Sequence, residues 1–362
     1  MRIRGTAAIL PIAAMVLAAC TPAGSGSPEA SGSQAAASGG TASCKVGVAW
    51  ATFQEPRYGQ RDEPGIKAAL EAGGAEYISG GDAQNKAETQ ASQISTLLAS
   101  NIDVLVLNAV NPVTVLSSLQ EALDAGIPVI AYDRELESDK VLFLTHDNVL
   151  VGHMIADEVT KVQPTGNYVI IKGDKTETNP IFLRNGMEEI LKPLVDSGDI
   201  TIVAEEFTDS WTAENAGNEM DQILTAHPDI QAVLSENDNM AAGVTASLGG
   251  NLDGKVKIGG QDGDPIALNR VALGTQVVSV WKDATELGDA AGKAALELCK
   301  DPDISKVTGA VKSKTTGGLD SYSELLNPVA ITKDNLQVVL DANWITKADL
   351  CKDVDPGSVA GC

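Results

Sequence analysis

From Lys45 onward the chain alternates short apolar runs with stretches in which apolar residues recur every third or fourth position. Lys45-Val46-Gly47-Val48-Ala49-Trp50 reads as a first strand. Ile66, Ala69 and Leu70 follow at helical spacing, up to Gly73-Gly74. Asp103–Asn108, Ile127–Asp133 and Val141–Asp147 read as further strands. Ile94, Leu97 and Leu98, then Leu116, Leu119 and Leu123, mark the helices between them. Gly126-Ile127-Pro128 is a helix stop followed by strand entry. The same rhythm restarts at Tyr168–Lys172, Thr201–Glu205, Gln231–Ser235, Val256–Gly259 and Val277–Val280. Strands nearly continuous in Val, Ile and Leu, separated by helices, predict parallel sheets covered on both faces. Two such runs predict two α/β lobes. The first ends near Asp147-Asn148 and the second opens with a helix from Val149. The helix Thr285–Leu298 and the final segment Val329–Leu340 can return to either lobe on pattern alone.

Ahead of the first strand the pattern is of another kind. Arg2 and Arg4 precede an apolar run from Ala7 to Leu17, and Leu17-Ala18-Ala19 leads directly into Cys20. This predicts a secretory signal over residues 1–19 with a lipoprotein-type cleavage site and lipid on Cys20. The run is too short to span a bilayer, which needs about 20 apolar residues. Residues 20–43 are almost entirely Gly, Ser, Ala, Thr and Pro, a composition that cannot bury enough apolar surface to offset the entropy of ordering it. As a flexible coil this linker would span about 25 Å. The expected location is therefore extracytoplasmic, lipid-anchored to the outer face of the cell membrane.

Composition narrows the partners. The 362 residues carry a formal net charge of −23, with no basic cluster after the leader, so nucleic acid and anionic lipid surfaces are disfavoured. His146, His153 and His227 are scattered, which argues against a zinc site, and no cofactor is expected. Cys44, Cys299, Cys351 and Cys362 remain after Cys20, enough for two disulfides in an oxidising compartment. Four cysteines allow three pairings and the sequence does not choose among them. A short Cys351–Cys362 loop is the preferred expectation.

Candidate chemistry sits at the strand ends, where open α/β sheets bind ligands. Arg57 and Tyr58 follow the first strand; Asn108, Asp133-Arg134 and Asp147-Asn148 end later ones. The second run offers Asn237-Asp238, Asp262 and Lys282, with Asn179 and Trp211 in strand-following loops. Carboxylates, amides, cations and an indole ring together suit a neutral ligand rich in hydroxyls. Each hydroxyl donates once and accepts twice. Carboxylates take the proton, Arg, Lys and Asn donate to oxygen, and an aromatic ring covers the apolar face of a pyranose. Asp147-Asn148, where the chain crosses between lobes, reads better as a helix cap, and Trp50 and Trp281 as core or hinge packing. There is no GxSxG elbow, no Walker loop and no strand-linked GxGxxG, so an enzyme is not expected.

With those residues in view, the chain resembles the type I periplasmic sugar-binding proteins of ABC importers, the D-xylose binders above all. The likeness runs from about Lys45 to Trp344. It is carried by Ala131-Tyr132-Asp133-Arg134, Asp147-Asn148 with Val151-Gly152, Gly166-Asn167-Tyr168 and Leu191-Lys192-Pro193 with Val195-Asp196-Ser197-Gly198. Trp211 with Glu214-Asn215-Ala216, Asn237-Asp238, Gly260-Gln261-Asp262 and Gly274-Thr275-Gln276 continue it. The resemblance implies two Rossmann-like lobes joined by a three-strand hinge and closing over one sugar. Residues 44–148 plus about 283–326 would form the N-terminal lobe, and 149–282 plus about 327–362 the C-terminal one. It also implies ligand-binding roles for Arg57, Tyr58, Asp133, Arg134, Asn179, Trp211, Asn237, Asp262 and Lys282, with Asp133 and Arg134 gripping adjacent hydroxyls and Trp211 stacking. Arg184 is similar to an arginine of related ribose binders. Tyr58 stands where the xylose binders' pattern has tryptophan, and Trp50–Pro56 departs from it.

The expected function is capture of a monosaccharide, D-xylose first, by a monomer that delivers it to a permease with a cytoplasmic ATPase. The alternatives are a sensing role toward a membrane receptor or kinase, or another ligand among glucose, ribose, arabinose and galactose.

Overall fold

The computed structural model describes residues 43–252 and 254–362. The leader, Cys20 and the linker up to residue 42 lie outside the described residues. In the first half the strands are β1 (Lys45–Trp50), β2 (Glu76–Asp82), β3 (Val104–Leu107), β4 (Val129–Tyr132) and β5 (Val141–His146). There follow β6 (Gly166–Lys172), β7 (Ile200–Phe207), β8 (Ala232–Ser235), β9 (Lys257–Gln261) and β10 (Val278–Trp281), and last β11 (Val311–Lys314), β12 (Asp320–Leu326) and β13 (Val329–Ile331). They form a seven-stranded sheet in the order β11-β12-β5-β4-β3-β1-β2 and a six-stranded sheet in the order β13-β10-β9-β8-β6-β7. These are two α/β lobes.

Between the strands run α1 (Glu63–Ala72), α2 (Ala87–Ala99), α3 (Leu116–Asp124), α4 (Asn148–Val162), α5 (Asn179–Asp196) and α6 (Ala213–Ala226). They are followed by α7 (Asp238–Leu252), α8 (Pro265–Leu273), α9 (Ala284–Leu298), α10 (Gln337–Asp341) and α11 (Lys347–Leu350). The central strands are buried on both faces, which explains their unbroken apolar sequence. Val104, Leu105, Val106 and Leu107 of β3 are all fully buried, and such side chains contribute roughly 1.5–3 kcal/mol each.

The sheets are not wholly parallel, as the apolar runs had suggested. β11 pairs antiparallel with β12, and β13 antiparallel with β10. A tight turn joins β11 to β12, too short for the crossover of a dozen residues that a parallel neighbour needs. β13 enters the second sheet directly from β12 through Asn327-Pro328, so it runs away from the crossing that β10 runs toward. The chain passes between the sheets three times, at Asp147, at Lys282-Asp283 and at Asn327-Pro328. α9 returns to the first sheet, where Leu287, Ala291 and Leu298 share a core with Val46, Val104 and Leu142. The final segment returns to the second, with Leu336, Val339 and Trp344 packed among Leu268, Trp281 and Ile331.

Local sequence sets the joints. Asp147 caps α4 by accepting the Leu150 N–H at 3.0 Å, as read from its position. α4 and α5 approach closely because each presents a glycine to the other. A Cβ on Gly152 would overlap the Leu183 carbonyl, and one on Gly186 the Val149 carbonyl. Two disulfides close the fold. Cys351 pairs with Cys362, the short loop preferred from sequence, and Cys44 with Cys299, tying the start of β1 to the end of α9.

Candidate functional site

The carboxyl ends of the parallel strands in both sheets border one cavity, the place where open α/β sheets hold ligands. All nine residues singled out from sequence line it. From the first sheet come Arg57 and Tyr58, in the turn after β1, and Asp133 and Arg134 after β4. From the second come Asn179 at the start of α5, Trp211 in the turn after β7, and Asn237, Asp262 and Lys282 after β8, β9 and β10.

Three of the nine carry unusual backbone. Asp133, Trp211 and Asp262 have φ of 63°, 57° and 100°, a region that side chains other than glycine seldom occupy. Such conformations persist only where the surroundings over-determine them, and they gather at functional sites. Here each turn aims a side chain off the end of a strand and into the cavity.

Charge is concentrated and paired. The Arg57 guanidinium binds Asp62 at 2.8 Å and approaches Asp133 at 3.6 Å and Asp262 at 3.4 Å. Lys282 Nζ stands 3.0 Å from Asp262 and 4.0 Å from Asp133. The Tyr58 hydroxyl donates to Asp133 at 2.5 Å, and Asn179 donates to the Asp133 carbonyl at 3.0 Å. Burial would raise the Asp133 carboxyl, but Arg57, Lys282 and the Tyr58 hydroxyl hold it well below the usual carboxylate range. It is therefore an ionised acceptor, ringed by donors. Arg134 donates to the Ala109 carbonyl at 2.8 Å and pairs with Glu177 at 3.2 Å.

The sequence reading missed three cavity residues: Glu55, Glu177 and Gln261. Glu177 accepts the Trp211 indole N–H at 3.2 Å, fixing the ring's orientation. Burial raises its carboxyl to about 7, only partly offset by Arg134. Glu55 accepts from Asn237 at 3.3 Å and Asn239 at 3.1 Å, linking the two sheets. Burial pushes its carboxyl up, and Asp262 and Asp264 push it further. Gln261 was passed over although it adjoins Asp262. Its amide donates to the Glu236 carbonyl at 2.8 Å.

Other strand-end polar residues are structural. Asn108 accepts the Ala51 N–H and donates to the Tyr132 carbonyl, both at 3.2 Å. Asp238 accepts from Ser279 at 2.5 Å and Gln276 at 2.8 Å, and does not border the cavity. Arg184 pairs with Glu188 at 2.7 Å and Glu205 at 3.1 Å. Trp50 packs against Phe53, Tyr58 and Tyr132, and Trp281 against Trp344. Among the described residues no cluster of three or more His, Cys, Asp or Glu is placed to hold a metal ion, and no helix is long and apolar enough to cross a membrane.

Comparison with known proteins agrees with this architecture. Residues 46–303 match the family described as periplasmic binding protein domain. The D-xylose-binding periplasmic protein of Escherichia coli (strain K12) is 33% identical over 296 residues, spanning 81% of this chain and 88% of that protein. The multiple sugar-binding periplasmic receptor ChvE of Rhizobium radiobacter is 29% identical over 333 residues, covering 85% and 92%. Among solved structures, an ABC transporter solute-binding protein of Clostridium phytofermentans with bound β-D-glucose superposes with a TM-score of 0.74 at 28% identity, covering 84% of this chain and 99% of that one. By its sequence, its two lobes and its interlobe cavity, this chain belongs to the periplasmic binding protein domain family.

Proposed function

We propose that this protein is the substrate-binding component of a sugar ABC importer. It captures a monosaccharide, D-xylose first, between its lobes and delivers it to a permease driven by a cytoplasmic ATPase. The observation that carries the reading is the cavity itself. It joins Asp133, Asp262, Arg57, Lys282, three amides and an oriented indole, drawn from both sheets, in one buried space. Ionised acceptors and cationic donors facing each other match the alternating needs of adjacent hydroxyls. Hydrogen bonds to charged groups contribute roughly 1.5–3 kcal/mol each, so a few of them reach micromolar affinity. Ligand contacts from both lobes exist together only when the lobes meet, so binding shifts the equilibrium toward the closed form.

Isothermal titration against D-xylose, D-glucose, D-ribose, L-arabinose and D-galactose tests this directly. D-Xylose is expected to bind most tightly and to be recovered chemically unchanged. Silence toward all five sugars would discard the reading. A second reading, presentation of the ligand to a membrane receptor, draws support from the relative named a receptor. Delivery to a membrane partner also accounts for the leader and Cys20, which we read as a lipid anchor. Cys20→Ala is expected to move the protein from the membrane fraction to the medium, measured by immunoblot.

A further inference from the structure

Arg61 lies in the helical turn Tyr58–Asp62, ahead of α1 on the first sheet. Trp344 lies beyond β13, in the C-terminal segment packed on the second sheet. The two meet outside the cavity, which neither of them borders. Arg61 Nη2 donates to the Trp344 carbonyl at 2.8 Å, and its guanidinium stands 4.9 Å from the centre of the indole ring. The same indole, 5% exposed, donates its Nε1–H to the Gly263 carbonyl at 2.6 Å. Gly263 directly follows Asp262, whose carboxylate faces the cavity and whose backbone is held at a φ of 100°.

We infer that Trp344 is a positioning residue for Asp262 and that Arg61 clasps it from the opposite lobe, so that ligand release is governed partly from outside the sugar pocket. Three features support the clasp. The indole N–H fixes the turn that carries Asp262. The cation over the ring gives attraction beyond a single hydrogen bond. The segment bearing Trp344 is itself held, because Cys351 and Cys362 are bonded within the same apolar cluster. Because it joins a residue of one lobe to a residue of the other, the clasp as inferred is broken when the lobes part. It therefore stabilises the closed state without assisting the first encounter with ligand.

The inference rests on the proposed sugar capture, and the test separates the two. Stopped-flow tryptophan fluorescence would follow association and dissociation of whichever of the five sugars binds most tightly. Arg61→Ala is expected to raise koff about tenfold, the size of one lost charge-assisted contact, with kon within twofold of wild type and thermal stability unchanged. Trp344→Phe keeps the ring and removes the N–H donor, and should also raise koff. A purely structural role would instead lower stability and leave the kinetic split unmoved. If Trp344→Phe fails to fold, the partly exposed Arg61 decides alone. Binding by wild type with an unaltered koff in Arg61→Ala overturns the clasp. Absence of binding by wild type to every sugar overturns the proposed function and the clasp with it.

Discussion

Asp133→Ala is expected to weaken sugar binding about a hundredfold while leaving the protein folded. The estimate follows from the two hydroxyl contacts that an ionised, donor-ringed carboxylate offers. At roughly 1.5 kcal/mol each, two charge-assisted bonds amount to about two decades in the dissociation constant. Alanine in the left-handed backbone at this position costs about 1–2 kcal/mol, but no larger loss follows because no cation is orphaned by the change. Arg57 retains Asp62 at 2.8 Å, and Lys282 retains Asp262 at 3.0 Å. Asp133→Asn gives the intermediate case. Asparagine tolerates the left-handed backbone at this position and keeps a hydrogen-bonding oxygen, so a loss of about tenfold is expected from the missing charge. Titration calorimetry reads the affinity and a thermal melt reads the fold. Wild-type affinity in Asp133→Ala would show that the site has been misplaced.

The second large effect concerns stability. Joint replacement of Cys44 and Cys299 by serine is expected to destabilise the protein by about 4–5 kcal/mol, and of Cys351 and Cys362 by about 2–3 kcal/mol. The difference comes from loop length, 255 against 11 residues of separation, because a longer loop loses more freedom when closed. Domains of this kind are stable by about 5–15 kcal/mol in all. The first loss therefore consumes much of the margin, whereas the second is tolerable. Urea unfolding of the two double variants measures both. Equal midpoints would contradict the ranking.

The buried strands were legible because burial on both faces writes itself as continuous Val, Ile and Leu, as in β3 and β8. β2, β11 and β12 escaped notice for the converse reason. Glu-Tyr-Ile-Ser-Gly-Gly-Asp and Val-Lys-Ser-Lys line the two sheet edges, the first partly and the second mostly exposed, and carry no long apolar run. The rule that ligands sit beyond strand ends, together with the family resemblance, brought nine residues to one cavity. That rule also swept in Asn108 and Asp238, which hold the backbone instead. Only three dimensions separate a strand-end amide that faces ligand from one that braces its neighbours. Glu55 and Glu177 lie in loops, where an isolated glutamate reads as a solvated surface charge. Their burial depends on the opposite lobe, which no local pattern reports.

Cys44 is where the tract beyond the described residues joins the folded body, at the amino end of β1 and so at the opposite end of that strand from the cavity. A pull arriving along that tract meets the covalent link to Cys299 before it reaches the hydrogen bonds joining β1 to β2 and β3. Strain applied there is passed to α9 and spread over its packed face. The first sheet cannot be peeled open from its terminus, and the mouth of the cavity is spared the load.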